Sequence, residues 1–176
     1  MAETQFRMSI DPCAIVQAES WPATLPAFET ELSRQLGGKL PATSRETTII
    51  GHWLAVRVAP RRFWFIADEG SELHCSIDPE HGCLLSLKES RMRLRLSGPH
   101  PHTSNILSAC VAIDWHEAKP GHAFQTSFHH VPVLVLRTAA DACDLFVPSS
   151  FARSLADWVA DIAAPYEAAA SAKVPA

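Results

Sequence analysis

The seven-residue segment Arg91–Ser97 constrains the fold more than any other stretch of the sequence. It reads Arg-Met-Arg-Leu-Arg-Leu-Ser, so polar and apolar residues alternate strictly. Because successive side chains of a β-strand point to opposite faces, this pattern predicts a strand whose apolar face packs on a core. The opposite face would carry a row of three cations: Arg91, Arg93 and Arg95.

Nine further segments have the composition of short strands. They are rich in β-branched and aromatic residues, and turn-forming residues such as those of Asp78-Pro79-Glu80-His81-Gly82 separate them. The predicted strands are Cys13–Ala18, Arg45–Ile50, His52–Ala59, Arg62–Ala67, Leu73–Ile77, Cys83–Leu87, Phe124–His129, Val133–Arg137 and Cys143–Val147.

Three segments have helical character. The first begins with Thr24 as N-cap and Pro26 in the first turn, and Gly37-Gly38 ends it. A shorter helix is predicted over Thr103–Cys110. The last helix begins near Ser149 or Ser150, ends before Pro165 and places five apolar residues along one stripe. These five are Phe151, Leu155, Trp158, Val159 and Ile162.

The order of these elements predicts an α+β fold, with an antiparallel sheet and helices packed on it. A chain of 176 residues, 47% of them hydrophobic, is long enough to bury one sizeable core. We therefore predict a single domain over residues 1–167. Residues 168–176 are small and lack apolar anchors, so we expect a disordered tail.

The charge of the chain argues against nucleic acid as a partner. The formal net charge is -4, whereas phosphate binding is driven by concentrated Lys and Arg. The N-terminal segment has no cationic start followed by an apolar stretch, and no apolar run is long enough to span a bilayer. We expect a cytoplasmic protein that does not contact a membrane.

Common motifs of catalysis and cofactor binding are missing from the sequence. It contains neither GxGxxG nor GxxxxGK[ST] for nucleotides, and neither GxSxG nor HExxH for hydrolysis. A histidine-based metal site near His100, His102, His129 and His130 is an alternative, but surface or core histidines are the favoured interpretation.

The five scattered cysteines are interpreted mainly as reduced core residues. Two of them have a histidine nearby, since His74 precedes Cys75 and His81 lies two residues before Cys83. A Cys/His nucleophile also needs a third orienting group, and none is identified. We therefore predict no catalytic, cofactor-binding or metal-binding residue in this chain.

A contact with another subunit is the functional hypothesis for the arginine row. Arginines suit carboxylates or an acidic partner surface, whereas the simpler interpretation is a solvated strand face. Tryptophan is enriched at binding hot spots, although most of the aromatic residues are expected in the core. The candidate interface residues are Arg91, Arg93, Arg95, Trp53 and Trp115.

Five motifs between Leu84 and Tyr166 carry a resemblance to a known family. They are RMRLRLSGP from Arg91, AIDW from Ala112, PGHAFQT from Pro120, PVLVLR from Pro132 and DLFVPSSFARSLADWV from Asp144. In order and spacing they resemble the gamma subunit of heterotetrameric sarcosine oxidase, and beyond it the folate-binding aminomethyltransferase fold. The N-terminal half is similar more loosely.

The resemblance implies a non-catalytic gamma subunit that supports assembly with alpha, beta and delta subunits. The complex would oxidatively demethylate sarcosine to glycine, and FAD, FMN, NAD, tetrahydrofolate and zinc would belong to the partner subunits. Family relatives carry an aspartate-serine pair just before the alternating strand, where this chain reads Ser86-Leu87-Lys88-Glu89-Ser90. That departure weakens the prediction of folate binding more than it weakens the prediction of the fold.

Two alternatives remain within the resemblance. The complex could act on another N-methylated or secondary amine, such as N-methylglutamate or dimethylglycine. Alternatively, the chain could be a free-standing folate-binding protein of one-carbon metabolism with the same fold.

Overall fold

The computed structural model describes residues 5–99 and 102–171 and contains antiparallel strands together with three α-helices. The strands are β1 (Arg7–Ser20), β2 (Thr47–Ile50), β3 (Trp53–Ala59), β4 (Arg62–Asp68), β5 (Gly82–Ser86), β6 (Arg91–Ser97), β7 (Ala123–Phe128), β8 (Val131–Ala139) and β9 (Ala142–Pro148). The helices are α1 (Leu25–Leu36), α2 (His102–Cys110) and α3 (Ala152–Ser171), the last preceded by a 3-10 turn over Ser149–Phe151.

The chain divides into two compact units. The first unit consists of Pro12–Arg91, and the second combines the residues up to Asp11 with those from Met92 onward. The α+β class with antiparallel pairing is confirmed. The predicted domain boundaries, residues 1–167 with a tail over 168–176, stay a prediction. The described part of α3 extends into that tail, to Ser171, and residues 172–176 lie outside the described residues.

The first unit is a sheet with strand order β2-β3-β4-β1-β5 and α1 packed on it. The sequence predicts this helix correctly, because Pro26 lies in the first turn and Gly37, at φ 68°, ends it in the left-handed conformation. Phe28 and Leu32 are fully buried, and the Phe28 ring stacks on Phe63 at 6.4 Å between centroids. Each such side chain contributes about 1.5–3 kcal/mol by leaving water.

A loop of the first unit, residues 69–81, is held to α1 by side chains. Gln35 accepts a hydrogen bond from the Ser76 N–H at 3.0 Å and donates one to the Ser76 carbonyl. Glu31 accepts from the Asp78 N–H and contacts His81 Nδ1 at 2.9 Å. The prediction of a strand over Leu73–Ile77 is therefore wrong, because this backbone bonds to side chains of α1 instead of to a neighbouring strand.

The second unit has strand order β6-β9-β8-β7, with α2 and α3 in its core. The predicted alternation of β6 is confirmed on its apolar side, since Leu94 and Leu96 are buried in this core and Met92 packs against it. On α3, Leu155 and Val159 have no exposed surface.

Helix α3 differs from its prediction at the C-terminal end. It continues through Pro165 to Ser171, although a proline was expected to stop it. Proline in a helix removes one backbone hydrogen bond, and the flanking residues are rich in alanine, the strongest helix former. The helix therefore extends past the residue that was expected to end it.

Candidate subunit interface

The row of arginines on β6 is not uniformly exposed. Arg93 is only 8% exposed, so the prediction that all three side chains share an open face is wrong for this residue. Alternation on a strand separates the two faces, but it does not determine whether the polar face is covered. Arg91 is half-buried, and Arg95 is exposed.

Each of the two remaining arginines has a partner within its own unit. The Arg91 guanidinium lies 5.2 Å from the centroid of the Trp64 ring, a cation–π distance, and burial lowers the pKa of Arg91. Arg95 Nε is 3.5 Å from Asp11 Oδ2, a loose surface ion pair that contributes little stability. Both side chains keep surface that another protein could contact.

Trp53 and Trp115 lie in the two hydrophobic cores. Trp53 is 5% exposed and belongs to the core of the first unit, with the His52 ring 5.2 Å away. Trp115 is 8% exposed and belongs to the core of the second unit. Little of either ring is open to a partner, so Arg91 and Arg95 are the accessible members of the predicted set.

Sequence reasoning missed the role of Arg137, a buried cation at the end of β8. Its guanidinium donates to four backbone carbonyls: Trp115 at 2.6 Å, Ala140 at 2.8 Å, Ala139 at 3.2 Å, and Ala118. The residue therefore fastens the loop between α2 and β7 to the turn between β8 and β9. The signal that could have indicated this role is an arginine at the end of an apolar strand, as in PVLVLR.

The histidines and cysteines do not form an activated nucleophile in the described part of the chain. Burial and the nearby Glu31 raise the pKa of the Cys75 thiol, which disfavours its reactive thiolate. Burial also raises the pKa of Cys110 to about 12 and that of Cys143 well above its usual range. His81 is engaged by Glu31, which raises its pKa through a hydrogen bond. Cys83 is exposed, which differs from the core location expected for most cysteines.

The described residues contain no group of three or more His, Cys, Asp or Glu side chains that could hold a metal ion. Of the predicted histidine cluster, His100 and the His102 side chain lie outside the described residues. His129 contacts two aromatic rings, with its own ring 5.2 Å from Phe128 and 4.4 Å from Trp158.

A cavity of about 220 Å³ opens in the first unit, lined by Gln35, His52, Trp53, Glu72 and His74 among others. Binding sites for drug-sized ligands usually measure about 300–1,000 Å³, so this cavity is small by comparison. None of the helices in residues 5–99 and 102–171 combines the length and apolar character that a membrane span requires.

Comparison with known sequences finds a relative that matches most of this chain. No protein-family model matches the sequence. The chain is 29% identical over 167 residues to sarcosine oxidase subunit gamma of Corynebacterium sp. strain P-1, covering 92% of this chain and 78% of that protein.

Two solved structures share the fold. A chain of the heterotetrameric sarcosine oxidase from Corynebacterium sp. U-96 superposes with a TM-score of 0.77 at 20% identity, over 95% of this chain and 88% of that one. The glycine cleavage system aminomethyltransferase T from Bartonella henselae gives 0.58 at 15% identity, over 90% of this chain but 45% of that one. The predicted aminomethyltransferase-like fold is confirmed. Along most of its length the chain is thus similar to a sarcosine oxidase gamma subunit, and it shares the fold of a chain in a heterotetrameric sarcosine oxidase.

Proposed function

We propose that this chain is the gamma subunit of a heterotetrameric sarcosine oxidase and supports assembly with alpha, beta and delta subunits. The observation that carries the proposal is the match along 92% of the chain to a sarcosine oxidase gamma subunit. The same fold occurs in a solved heterotetrameric sarcosine oxidase. The complex would convert sarcosine to glycine in the cytoplasm, with substrate choice in the beta subunit.

A supporting role suits the chemistry of the polar groups. Burial raises the pKa of three thiols, Cys75, Cys110 and Cys143. Arg137 and Glu31 bond to the backbone of their own units, so these groups hold loops in place. In this proposal FAD, FMN, NAD, tetrahydrofolate and zinc belong to the partner subunits, and the chain has no catalytic residue of its own.

The test is affinity purification of the tagged chain from its native host. We expect a yellow complex with the flavin absorbance spectrum that contains the other three subunits and forms hydrogen peroxide from sarcosine. The same tag on the chain produced alone is the control, and it should yield a colourless protein without turnover.

The outcomes separate this function from its alternatives. A colourless chain without partner proteins would reject the subunit proposal, and tetrahydrofolate binding by that chain in calorimetry would favour a free-standing folate protein. A yellow complex that oxidises N-methylglutamate or dimethylglycine but not sarcosine would keep the subunit role and change the substrate.

A further inference from the structure

Two large aromatic side chains at the start of α3 stay exposed in this chain. Phe151 is 46% exposed and Trp158 is 40% exposed, whereas Leu155 between them is fully buried. Phe151 is the last residue of the 3-10 turn that leads into α3, and Trp158 lies seven residues later, on the helix itself. The two rings are therefore exposed apolar surface at the N-terminal end of α3, beside its buried residues.

The Trp158 ring is held by the strand ends beside it. Its centroid lies 6.1 Å from the buried Phe128 ring and 4.4 Å from the His129 ring, which it meets edge to face at 74°. His129 has φ 51°, a left-handed conformation that costs energy in a residue other than glycine. A ring fixed in this way loses little conformational entropy when another molecule covers it.

Carboxylates border the same side of the helix. Asp157 and Asp161 are exposed, Asp161 lies one turn after Trp158, and within the described residues neither has an ion-pair partner. Two copies of this surface facing each other would bring four such carboxylates together, which is unfavourable. The occupant therefore needs an apolar recess with Lys or Arg beside it.

We propose that Phe151, Trp158, Asp157 and Asp161, together the α3 aromatic surface, dock on another subunit of the complex. The partner would offer an apolar recess for Trp158 and at least one Lys or Arg for Asp161. Tryptophan is prominent among residues that dominate binding energy, and exposed aromatic surface with a polar border is typical of interaction sites. This inference rests on the proposed function and assigns one of its contacts.

The experiment uses the full chain and, produced separately from it, the alpha, beta and delta subunits of its own host. Purified subunit assemblies that lack this chain are then titrated with wild type and variants by biolayer interferometry. Trp158→Ala should weaken binding about 30-fold or more, the effect of a strong hot spot. Phe151→Ala should have a smaller effect, and Ile49→Ala, at a 76% exposed position on β2, is the matched control with no change.

Asp161→Lys keeps the result interpretable if Trp158→Ala misfolds, because it alters an exposed side chain outside the core. It should weaken binding about tenfold at low salt and less at high salt. Circular dichroism and thermal melting of each variant verify folding, and Trp158→Phe should retain part of the affinity.

Three results would overturn the inference. Wild-type affinity in both Trp158→Ala and Asp161→Lys would show that other residues make the contact, while the subunit role would stand. Loss of self-association without loss of subunit binding would assign the surface to a second copy of the chain. Failure of the wild type to bind any subunit would reject the proposed function itself.

Discussion

The two compact units rely on carboxylates to different degrees. In the first unit three partly buried carboxylates take part: Glu31 engages His81 of the loop, and Glu19 joins β1 to β4 through Arg62. Glu29 pairs with Arg57, whose guanidinium also donates to the Pro41 and Pro60 carbonyls. In the second unit, the buried guanidinium of Arg137 binds four backbone carbonyls. A carboxylate pair depends on pH and salt, whereas an arginine bound to carbonyls stays charged throughout the physiological range. The units should therefore respond differently to the same change of solvent.

Replacement of Arg137 should have the largest effect of the changes considered. Arg137→Met leaves four carbonyls without their donors, and two of these bonds are fully buried. Buried acceptors that lose a charged partner cost about 3–5 kcal/mol of unfolding free energy in total. Urea denaturation of the variant against wild type measures the loss.

Two controls sharpen that prediction. Arg137→Lys keeps the charge but loses the planar fork, so it should recover only part of the stability. Arg153→Met, on the exposed side of α3, should change the unfolding free energy by less than about 0.5 kcal/mol. Equal stability of Arg137→Met and wild type would show that the four carbonyls find other donors.

Gly82→Ala tests how tightly the first unit packs at β5. A Cβ atom at this position would lie 2.3 Å from the Glu19 carbonyl oxygen and 2.8 Å from the Phe28 ring, so backbone must move. We expect a cost of about 2–3 kcal/mol in urea denaturation. The control is Gly38→Ala, whose Cβ would lie nearest the Ile50 side chain, at 2.8 Å, so that a side chain and not backbone has to shift. A cost as large as that of Gly82→Ala would contradict the expected difference.

The Glu19–Arg62 pair should give a smaller effect that depends on salt. Arg62 donates to both carboxylate oxygens, at 2.7 and 3.0 Å, and this lowers the pKa of Glu19. Because the pair is partly exposed, a double-mutant cycle with Glu19→Gln and Arg62→Met should give about 0.5–1 kcal/mol. Its contribution is present above the unfolded pKa near 4.5 and is lost as pH falls through the lowered value. A coupling energy that does not fall at high salt would contradict this assignment.

The contact between His81 and Glu31 should give the smallest effect, with the opposite dependence on pH. Glu31 raises the pKa of His81, so the stabilisation is complete below the unfolded value of about 6.5 and is lost as pH rises through the raised value. The difference in Tm between wild type and His81→Gln should shrink from about pH 5.5 to about pH 9. His74→Gln, at an exposed position, is the matched control and should show no such trend.

Most elements of the fold could be predicted from the sequence, because their signals are local. Strict alternation predicts β6, and Pro26 with Gly37 delimits α1. The strand predicted over Leu73–Ile77 is absent because a side chain of α1, about forty residues away in sequence, forms hydrogen bonds with the backbone of this segment. No local pattern reports such a partner.

The candidate interface was harder to predict, since exposure depends on what covers each side chain. Arginine and tryptophan are residue types that are common at contact surfaces, yet Arg93 and Trp53 are both buried. Trp158 was assigned to the core stripe of α3, but it lies at the edge of that stripe and is exposed. A one-dimensional pattern gives the side of a helix or strand, and tertiary packing decides how far that side is covered.

The distribution of the thiols has a practical consequence for labelling. Cys83 is exposed on β5, whereas Cys13, Cys110 and Cys143 are buried and Cys75 is partly buried with a raised pKa. Alkylating reagents attack thiolates that they can reach, so a maleimide dye should attach first at Cys83. The native sequence thus carries a single preferred position for a fluorophore, and assembly with other subunits could be followed without introducing a new cysteine.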